Sequence, residues 1–187
     1  MMMMVTAGYS ESSQQSDDVK ALMVFKSSSI QNDPKGEFPS SFISCSSLES
    51  LNIRNNQISG NFLYTVVSNL TMLKYLYLPI NNITGSVPLS LTRCDQLQEL
   101  DLSSNVFTGE LPSGFCSSLK KILLSNNLLS GNVLLEIGKY KNLQTIDLSL
   151  NNLSGSIPSE IWTLPRLSKL VMWGNKLIGV IPESVCG

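Results

Sequence analysis

Two aspartates, Asp101 and Asp147, form the one pair in this sequence whose spacing suggests catalysis. They occupy the same place in two similar segments, "LDLS" and "IDLS", which predict short β-strands. On parallel strands two apart in one sheet, the carboxylates would lie about 10 Å from each other. That distance is near the upper limit for the acid and base of an inverting glycosidase. Because the segments belong to a repeated pattern and no further catalytic side chains accompany them, we predict no catalytic residues and no enzymatic activity.

The sequence contains no histidine. Serine–histidine–aspartate catalysis, cysteine–histidine catalysis and histidine-ligated metal sites are therefore excluded. The four cysteines include no Cys-x-x-Cys pair, so no zinc or redox motif is present; they are Cys45, Cys94, Cys116 and Cys186. We expect small buried apolar side chains at these positions, and the sequence leaves open whether they form two disulfides. No metal and no cofactor is predicted.

The composition indicates an aliphatic core, and it argues against a nucleic-acid partner. Apolar residues make up 42% of the 187 residues, aromatic residues make up 7%, and the formal net charge is −1. A nucleic-acid-binding protein would normally present a basic face. The first residues lack the charged and apolar regions of a signal peptide, and no run approaches the roughly 18 apolar residues of a membrane span. The sequence therefore predicts neither feature.

A repeat of 22 to 25 residues positions these side chains. Six copies of the pattern L-x-x-L-x-L-x-x-N-x-L-x-G-x-[IVL]-P occur in register, and their first leucines are Leu48, Leu73, Leu97, Leu119, Leu143 and Leu167. The apolar residues at the first, fourth and sixth positions indicate a short strand, and such strands stack in parallel about 4.8 Å apart. The repeat predicts an α/β solenoid, a right-handed arc with a short parallel sheet on its concave face.

Other positions of the repeat predict the hydrogen bonds and the backbone conformation next to each strand. The ninth position is Asn in every copy, and its amide can hydrogen-bond turn backbone that would otherwise be buried without a partner. We predict a structural Asn ladder of Asn56, Asn81, Asn105, Asn127, Asn151 and Asn175. A recurring glycine, such as Gly85, suits a tight turn after the strand. The aliphatic-Pro pairs, such as Val87-Pro88, predict a second extended segment, followed by a helical or 3₁₀ stretch such as "SEIWTL".

Exposed aromatic residues on the strands are the candidate contacts for a partner. Tyr75, Tyr77 and Trp173 occupy outward positions and belong to a residue class enriched in binding hot spots. Lys74 and Lys169 lie beside them in the same repeats. The two tyrosines and Trp173 are four repeats apart, roughly 20 Å, so a peptide or protein rather than a small ligand could contact both. A solenoid face without a partner is the alternative interpretation.

Three sequons are candidate glycan acceptors in a secreted protein. They begin at Asn69, Asn82 and Asn152. The alternative is that "NNLSG"-type turns produce sequons from the structural pattern alone.

The repeats resemble the plant-specific class of leucine-rich repeat, whose L-x-G-x-I-P motif is typical of receptor-like kinase ectodomains. The stretches "TVVSNL", "LVMWGN" and "PESVC" are similar to the middle repeats of brassinosteroid-receptor-like kinases. The resemblance implies a protein or peptide ligand, or another receptor ectodomain, as the partner. It also implies the extracellular side of the plasma membrane as the location.

The chain departs from that family at both ends. Residues 16–35 resemble the first helix of the plant N-terminal cap, preceded by a disordered tail over residues 1–15. Residues 36–187 hold one half repeat and six full repeats, and Gly36 serves both the cap pattern and the repeat pattern. We expect a truncated ectodomain in which the strand at Leu48–Ile53 is an open sheet edge and the last repeat exposes an apolar end.

Four functions follow as hypotheses. The first is a non-catalytic recognition module from a brassinosteroid-receptor-like kinase. The second is part of a longer product carrying a membrane span and a serine/threonine kinase, since none of the kinase motifs occurs in this sequence. The third and fourth are a secreted decoy or inhibitor and a truncated product without function. The island domain that completes the family's steroid site is missing, so direct steroid binding is not expected.

Overall fold

The computed structural model describes residues 45–115, 117–133 and 136–182. The predicted tail, the cap helix and the half repeat up to residue 44 lie outside the described residues. Cys116 and Cys186 lie outside them as well.

One short strand from each of the six repeats builds the first sheet. Its central residue is apolar and points into the core, while the residues on either side point outward, as the alternation of a strand requires. The strands are all parallel and adjacent repeats are neighbours, so the order follows the sequence. Numbered in chain order with those of the second sheet, they are β1 (Ser50–Asn52), β3 (Tyr75–Tyr77), β5 (Glu99–Asp101), β7 (Lys121–Leu123), β9 (Thr145–Asp147) and β11 (Lys169–Val171).

A second parallel sheet runs along the flank of the repeats. Its strands are β2 (Ser59–Gly60), β4 (Asn82–Ser86), β6 (Val106–Glu110), β8 (Leu128–Asn132), β10 (Asn152–Ser156) and β12 (Lys176–Ile178). The sequence predicted a second strand or extended segment at the aliphatic-Pro pairs; the backbone is extended at Pro88, but the strand itself lies before the pair. In the second repeat, β4 ends at Ser86, before Val87-Pro88. Proline has no N–H to donate to a ladder, and Val87 is buried in the core.

The recurring glycine also has a different place from the one predicted. Gly85 lies inside β4 with φ at 94°, rather than in a turn after the first strand. This φ lies in the left-handed region that favours glycine. The turn after each first strand is made instead by the residue at the eighth position, which has a positive φ at Asn55, Ile80, Ser104, Asn126 and Leu150.

The two sheets differ in register. In the first sheet, equivalent positions of neighbouring repeats lie opposite each other, as Tyr75 does to Glu99. In the second sheet, the partners are displaced by two positions of the repeat, so that Thr84 lies opposite Val106. The equivalent positions therefore stay aligned across the first sheet and shift progressively along the second.

Short helices return the chain to the next repeat. The second repeat follows an α-helix, Leu63–Val67, and later repeats follow 3₁₀ helices at Leu89–Arg93, Ile137–Lys139 and Ser159–Thr163. The last of these lies in "SEIWTL", as predicted. Each helix places apolar side chains on the core, such as Leu63 and Ile161, and both are fully buried.

The core lies between the two sheets and the helices, and aliphatic side chains dominate it. Leu51, Leu76 and Leu100 are 0% exposed, whereas Leu170 in the last described repeat is only partly buried. Beyond it, Ile178, Val180 and Ile181 are exposed, at 67%, 92% and 65%. Among the described residues β1 pairs with β3 alone and β11 with β9 alone. The α/β leucine-rich-repeat solenoid predicted from the sequence is confirmed.

Candidate functional site

From the second repeat onward, the asparagine at the ninth position bonds backbone of its own repeat and of the preceding repeat. In the fourth repeat, the amide nitrogen of Asn127 donates to the carbonyl oxygens of Leu102, Leu124 and Ser125, at 3.1, 3.1 and 3.3 Å. Its amide oxygen accepts the N–H of Phe107 at 3.0 Å. One side chain thus bonds the backbone of its own repeat and of the preceding repeat. These bonds provide partners for buried N–H and C=O groups that water cannot reach.

The same arrangement recurs through the array. The amide oxygens of Asn81, Asn105, Asn151 and Asn175 accept the N–H groups of Ile58, Ile83, Leu129 and Leu153. Asn56 donates to the carbonyls of Ile53 and Arg54 within its own repeat. These side chains are bonded to backbone, so they support the fold.

The outward side chains of the first sheet form two rows, because equivalent positions face each other in its register. The first row runs Ser50, Tyr75, Glu99, Lys121, Thr145 and Lys169, and the second row runs Asn52, Tyr77, Asp101, Leu123, Asp147 and Val171. We call these rows the first-sheet face. Of the predicted contact residues, Tyr75, Tyr77 and Lys169 lie in these rows.

Two tyrosines and an ion pair form a connected cluster on the first-sheet face. The rings of Tyr75 and Tyr77 are stacked, with centroids 6.4 Å apart. The hydroxyl of Tyr77 donates to Oε2 of Glu99 at 2.8 Å, and Lys121 pairs with Oε1 of the same carboxylate at 3.0 Å. Burial, and then the hydrogen bond to Glu99, raise the pKa of Tyr77 above its usual value. The phenol therefore stays neutral and keeps its donor at physiological pH.

Lys74, Lys169 and Trp173 do not join this cluster. Lys74 pairs with Glu49 of the preceding repeat at 2.8 Å. Lys169 and Trp173 are exposed in the last described repeat, and Trp173 is 63% exposed. Because β3 and β11 are separated by three strands, the structure keeps the two tyrosines and Trp173 apart, as the repeat spacing implied.

Asp101 and Asp147 lie in one row with Leu123 between them. Oδ1 of Asp101 accepts the N–H of Ser103 at 3.0 Å and its hydroxyl at 2.6 Å. Oδ1 of Asp147 accepts from Ser149 in the same way, at 3.1 and 2.6 Å. The two carboxylates thus stand in the same local turn, two strands apart, and none of the described residues provides an acid–base partner for either.

The three sequon asparagines, Asn69, Asn82 and Asn152, are all exposed. Asn82 and Asn152 lie at the first residues of β4 and β10 in the second sheet, and Asn69 lies just after the α-helix Leu63–Val67. All three therefore lie away from the first-sheet face.

Cys45 and Cys94 are buried, at 2% and 1% exposed. The thiol of Cys94 donates to the carbonyl oxygen of Leu70 at 3.5 Å. Within residues 45–182 as described, no group of three or more acidic, histidine or cysteine side chains could hold a metal ion. No helix in that same part of the chain is long and apolar enough to cross a membrane.

Sequence reasoning did not find two features of this surface. Glu99 was not singled out, yet it bonds both Tyr77 and Lys121; aligning equivalent positions of neighbouring repeats would have placed it opposite Tyr75, one position along the face from Tyr77. The second is the positive φ of 58° at the exposed Ile80. The eighth position is Asn, Ser or Gly in four of the other repeats and Leu150 in the fifth, so the aliphatic residues there were a visible signal.

Comparisons with known proteins agree with this architecture. The Leucine Rich Repeat family matches residues 47–68, 96–117 and 142–164. The chain is 46% identical over 97 residues to the brassinosteroid LRR receptor kinase BRL3 of Oryza sativa subsp. japonica, over 49% of this chain and 8% of that protein.

Two solved structures extend the comparison. The Arabidopsis receptor kinase HAESA, in complex with the peptide hormone IDA and the co-receptor SERK1, matches with a TM-score of 0.72 and 30% identity. That match covers 75% of this chain and 24% of the HAESA chain, so the chain spans a small part of both kinases. The LRR ectodomain of the receptor kinase SOBIR1 from Arabidopsis thaliana matches with a TM-score of 0.66 and 31% identity, over 87% of this chain and 95% of that one. The repeats, the two sheets and these matches together show that the chain belongs to the leucine-rich-repeat ectodomains of plant receptor kinases.

Proposed function

We propose that this chain is a non-catalytic recognition module that binds a peptide or a protein on its first-sheet face. The observation that carries the proposal is the stacked pair of Tyr75 and Tyr77, locked by the bond from Tyr77 to Glu99. Aromatic side chains that are already ordered lose little conformational freedom on binding, so more of their contact energy contributes to affinity. They stand on a rigid parallel sheet, which holds contact positions at fixed spacing.

An elongated partner fits this face better than a compact ligand. The outward rows extend over six strands, from β1 to β11, and the stacking distance of about 4.8 Å gives them a length of roughly 24 Å. HAESA, a related ectodomain of the same fold, is described in complex with a peptide hormone and a co-receptor. By analogy, we propose a peptide, or the ectodomain of a second receptor, as the partner of this chain.

The setting proposed for this module is the extracellular side of the plasma membrane. The relatives are receptor kinases, so a serine/threonine kinase and a membrane span would belong to a longer product of the same gene. We further propose a role in brassinosteroid signalling, the pathway for which the relative BRL3 is named. We propose that the role is exerted through protein contacts, since polar and aromatic residues make up most of the first-sheet face and its two aliphatic members, Leu123 and Val171, are separated by Asp147.

Selection from a peptide library tests the recognition function. The purified chain is immobilised, and peptides are selected from a phage-displayed random library. Their affinities are then measured for the Tyr75→Ala and Tyr64→Ala variants. Tyr64 is 64% exposed on the helix Leu63–Val67, so it is a matched tyrosine away from the first-sheet face.

The expected result is that Tyr75→Ala weakens the selected peptides by about tenfold or more, as loss of a hot-spot side chain does, and Tyr64→Ala does not. Equal effects of the two variants, or no selected binders at all, would contradict recognition at the first-sheet face.

Calorimetry with brassinolide tests whether the chain binds the steroid directly. We expect no saturable heat, and saturable binding would overturn the proposal that the chain acts through protein contacts.

We propose glycan attachment at Asn69, Asn82 and Asn152, which are exposed and lie away from the first-sheet face. Secretion of the chain from plant cells behind a supplied signal peptide, followed by mass measurement before and after glycosidase treatment, tests this. An unchanged mass would contradict attachment.

A further inference from the structure

The charges on and beside the first-sheet face differ in whether they are paired. Glu49 pairs with Lys74 beside the face and Glu99 pairs with Lys121 on it, so these carboxylates are neutralised within the protein. Asp101 and Asp147 have no cationic partner within salt-bridge distance among the described residues, and the exposed Lys169 in the first row pairs with neither. The second row therefore carries negative charge at two places where no ion pair forms.

Both aspartates are already positioned for a partner. The hydrogen bonds from Ser103 and Ser149 all go to Oδ1 of the respective aspartate. Oδ2 of each carboxylate has no bond from the described residues and remains available to an incoming donor. Because the two local turns are the same, the two carboxylates present equivalent acceptors.

The row that holds them also carries apolar and aromatic contacts. In the register of the first sheet, Tyr77 lies opposite Asp101, Leu123 lies between the two aspartates, and Val171 follows Asp147. The order along the row is thus aromatic, acidic, aliphatic, acidic, aliphatic. A ligand that lies along this row meets each type of side chain at steps of about 4.8 Å.

We propose that this row binds a proline-rich peptide in the polyproline II conformation, with basic side chains three residues apart, Asp101 and Asp147 accepting one each. The proposal rests on the recognition function proposed above and assigns the chemistry of its ligand. Two strand steps separate the carboxylates by about 9.6 Å. Three residues of polyproline II span about 9.3 Å and return the side chain to the same face.

Other backbone conformations match this spacing less well. In a β-strand, residues on one face repeat at about 6.6 Å, and residues three apart point to opposite faces. An α-helix would need residues about seven apart and a continuous apolar stripe, whereas the row offers single aliphatic residues between charges. Polyproline II also needs no backbone partner, and proline rings pack on aromatic surfaces such as Tyr77.

Matched synthetic peptides test the spacing directly. Two fluorescein-labelled peptides of eight residues contain six prolines and two arginines, with the arginines three positions apart in one and two positions apart in the other. Binding to the purified chain is measured by fluorescence anisotropy at low and at physiological salt. We expect the peptide with a spacing of three to bind about two- to fivefold more tightly, the scale of one exposed ion pair.

Isosteric variants of the protein provide the controls. Asp101→Asn and Asp147→Asn keep the acceptor for Ser103 and Ser149, so the fold is retained while the charge is removed. Each is expected to abolish the preference for the spacing of three and to reduce the salt dependence of binding. Asp95→Asn removes an exposed charge away from the row and is expected to change neither.

The outcomes separate this inference from the recognition function. Equal affinities for the two spacings, or a preference unaffected by Asp101→Asn and Asp147→Asn, would overturn the basic-peptide assignment. If library-selected peptides still depend on Tyr75 in that case, recognition at the first-sheet face stands while its ligand is of another class. Tighter binding of a helical peptide with arginines seven apart would likewise overturn the polyproline conformation.

Discussion

At the scale of single residues, the structure separates polar side chains that hold the fold from those that face a partner. Asn127 is 6% exposed, and its side-chain hydrogen bonds to the described residues all go to backbone. Asp101 uses one oxygen for its own turn and leaves the other outward. The two cases differ in whether water can replace the hydrogen-bonding partner. A buried N–H that loses its acceptor has no water to bond, whereas a surface carboxylate is solvated until a ligand binds.

Asn127→Ala tests the supporting role. It removes the acceptor of the buried Phe107 N–H, whereas the carbonyl of Leu102 keeps its bond from Asn105. One buried group without its partner costs about 1–3 kcal/mol, and we expect the free energy of unfolding in urea to fall by about that amount. Asn132→Ala, at an exposed position at the end of β8, is the matched control and is expected to change it by less than about 0.5 kcal/mol. A loss at Asn127 as small as that of the control would refute the ladder.

At the scale of elements, the turn after each strand of the first sheet requires a backbone conformation that its residue types do not always favour. Its eighth-position residue adopts a positive φ in the first five described repeats. Asn at positions 55 and 126 tolerates this region, but Ile80 is β-branched and has φ at 58°. Since Ile80 is 56% exposed, burial recovers little of that strain. The register of the two sheets imposes the turn on whichever residue occupies it.

Ile80→Asn is therefore expected to stabilise the protein by about 1 kcal/mol, since Asn adopts the left-handed region at lower cost. Urea unfolding monitored by circular dichroism measures the change. Leu89→Asn is the control, because Leu89 is similarly exposed, at 63%, but has no positive φ. The strain argument fails if Ile80→Asn gives no gain over Leu89→Asn.

At the scale of the whole molecule, each repeat is stabilised mainly by its two neighbours. Interior strands such as β5 have a partner on each side, and their core leucines are fully buried. In the last described repeat, β11 and β12 each pair on one side, Leu170 and Leu177 are only partly buried, and Val180 is 92% exposed. Stability in such arrays is close to a sum over neighbouring units, so this repeat should open at lower cost.

Hydrogen exchange followed by mass spectrometry measures that gradient. We expect amides in residues 167–182 to exchange faster than those in residues 97–153 by roughly tenfold or more at equal intrinsic rate. Equivalent strand positions provide an internal control, since β5 and β11 have the same length and the same place in the repeat. Uniform protection across the two regions would contradict this dependence on neighbours.

The sequence alone determined the number and period of the repeats, the strand that begins each copy, the Asn ladder and the aliphatic core. These features depend on residue types at fixed spacing, and a repeat shows each of them six times. The sequence placed the second strand too late and the glycine in the wrong turn, because β pairing decides where a strand ends and that pairing is made with another repeat. Only the tertiary structure decided that Glu99 joins Tyr77 to Lys121, and that Asp101 and Asp147 remain without a cation. Those outcomes depend on which side chains the register brings together from different copies, and no single copy of the repeat contains that information.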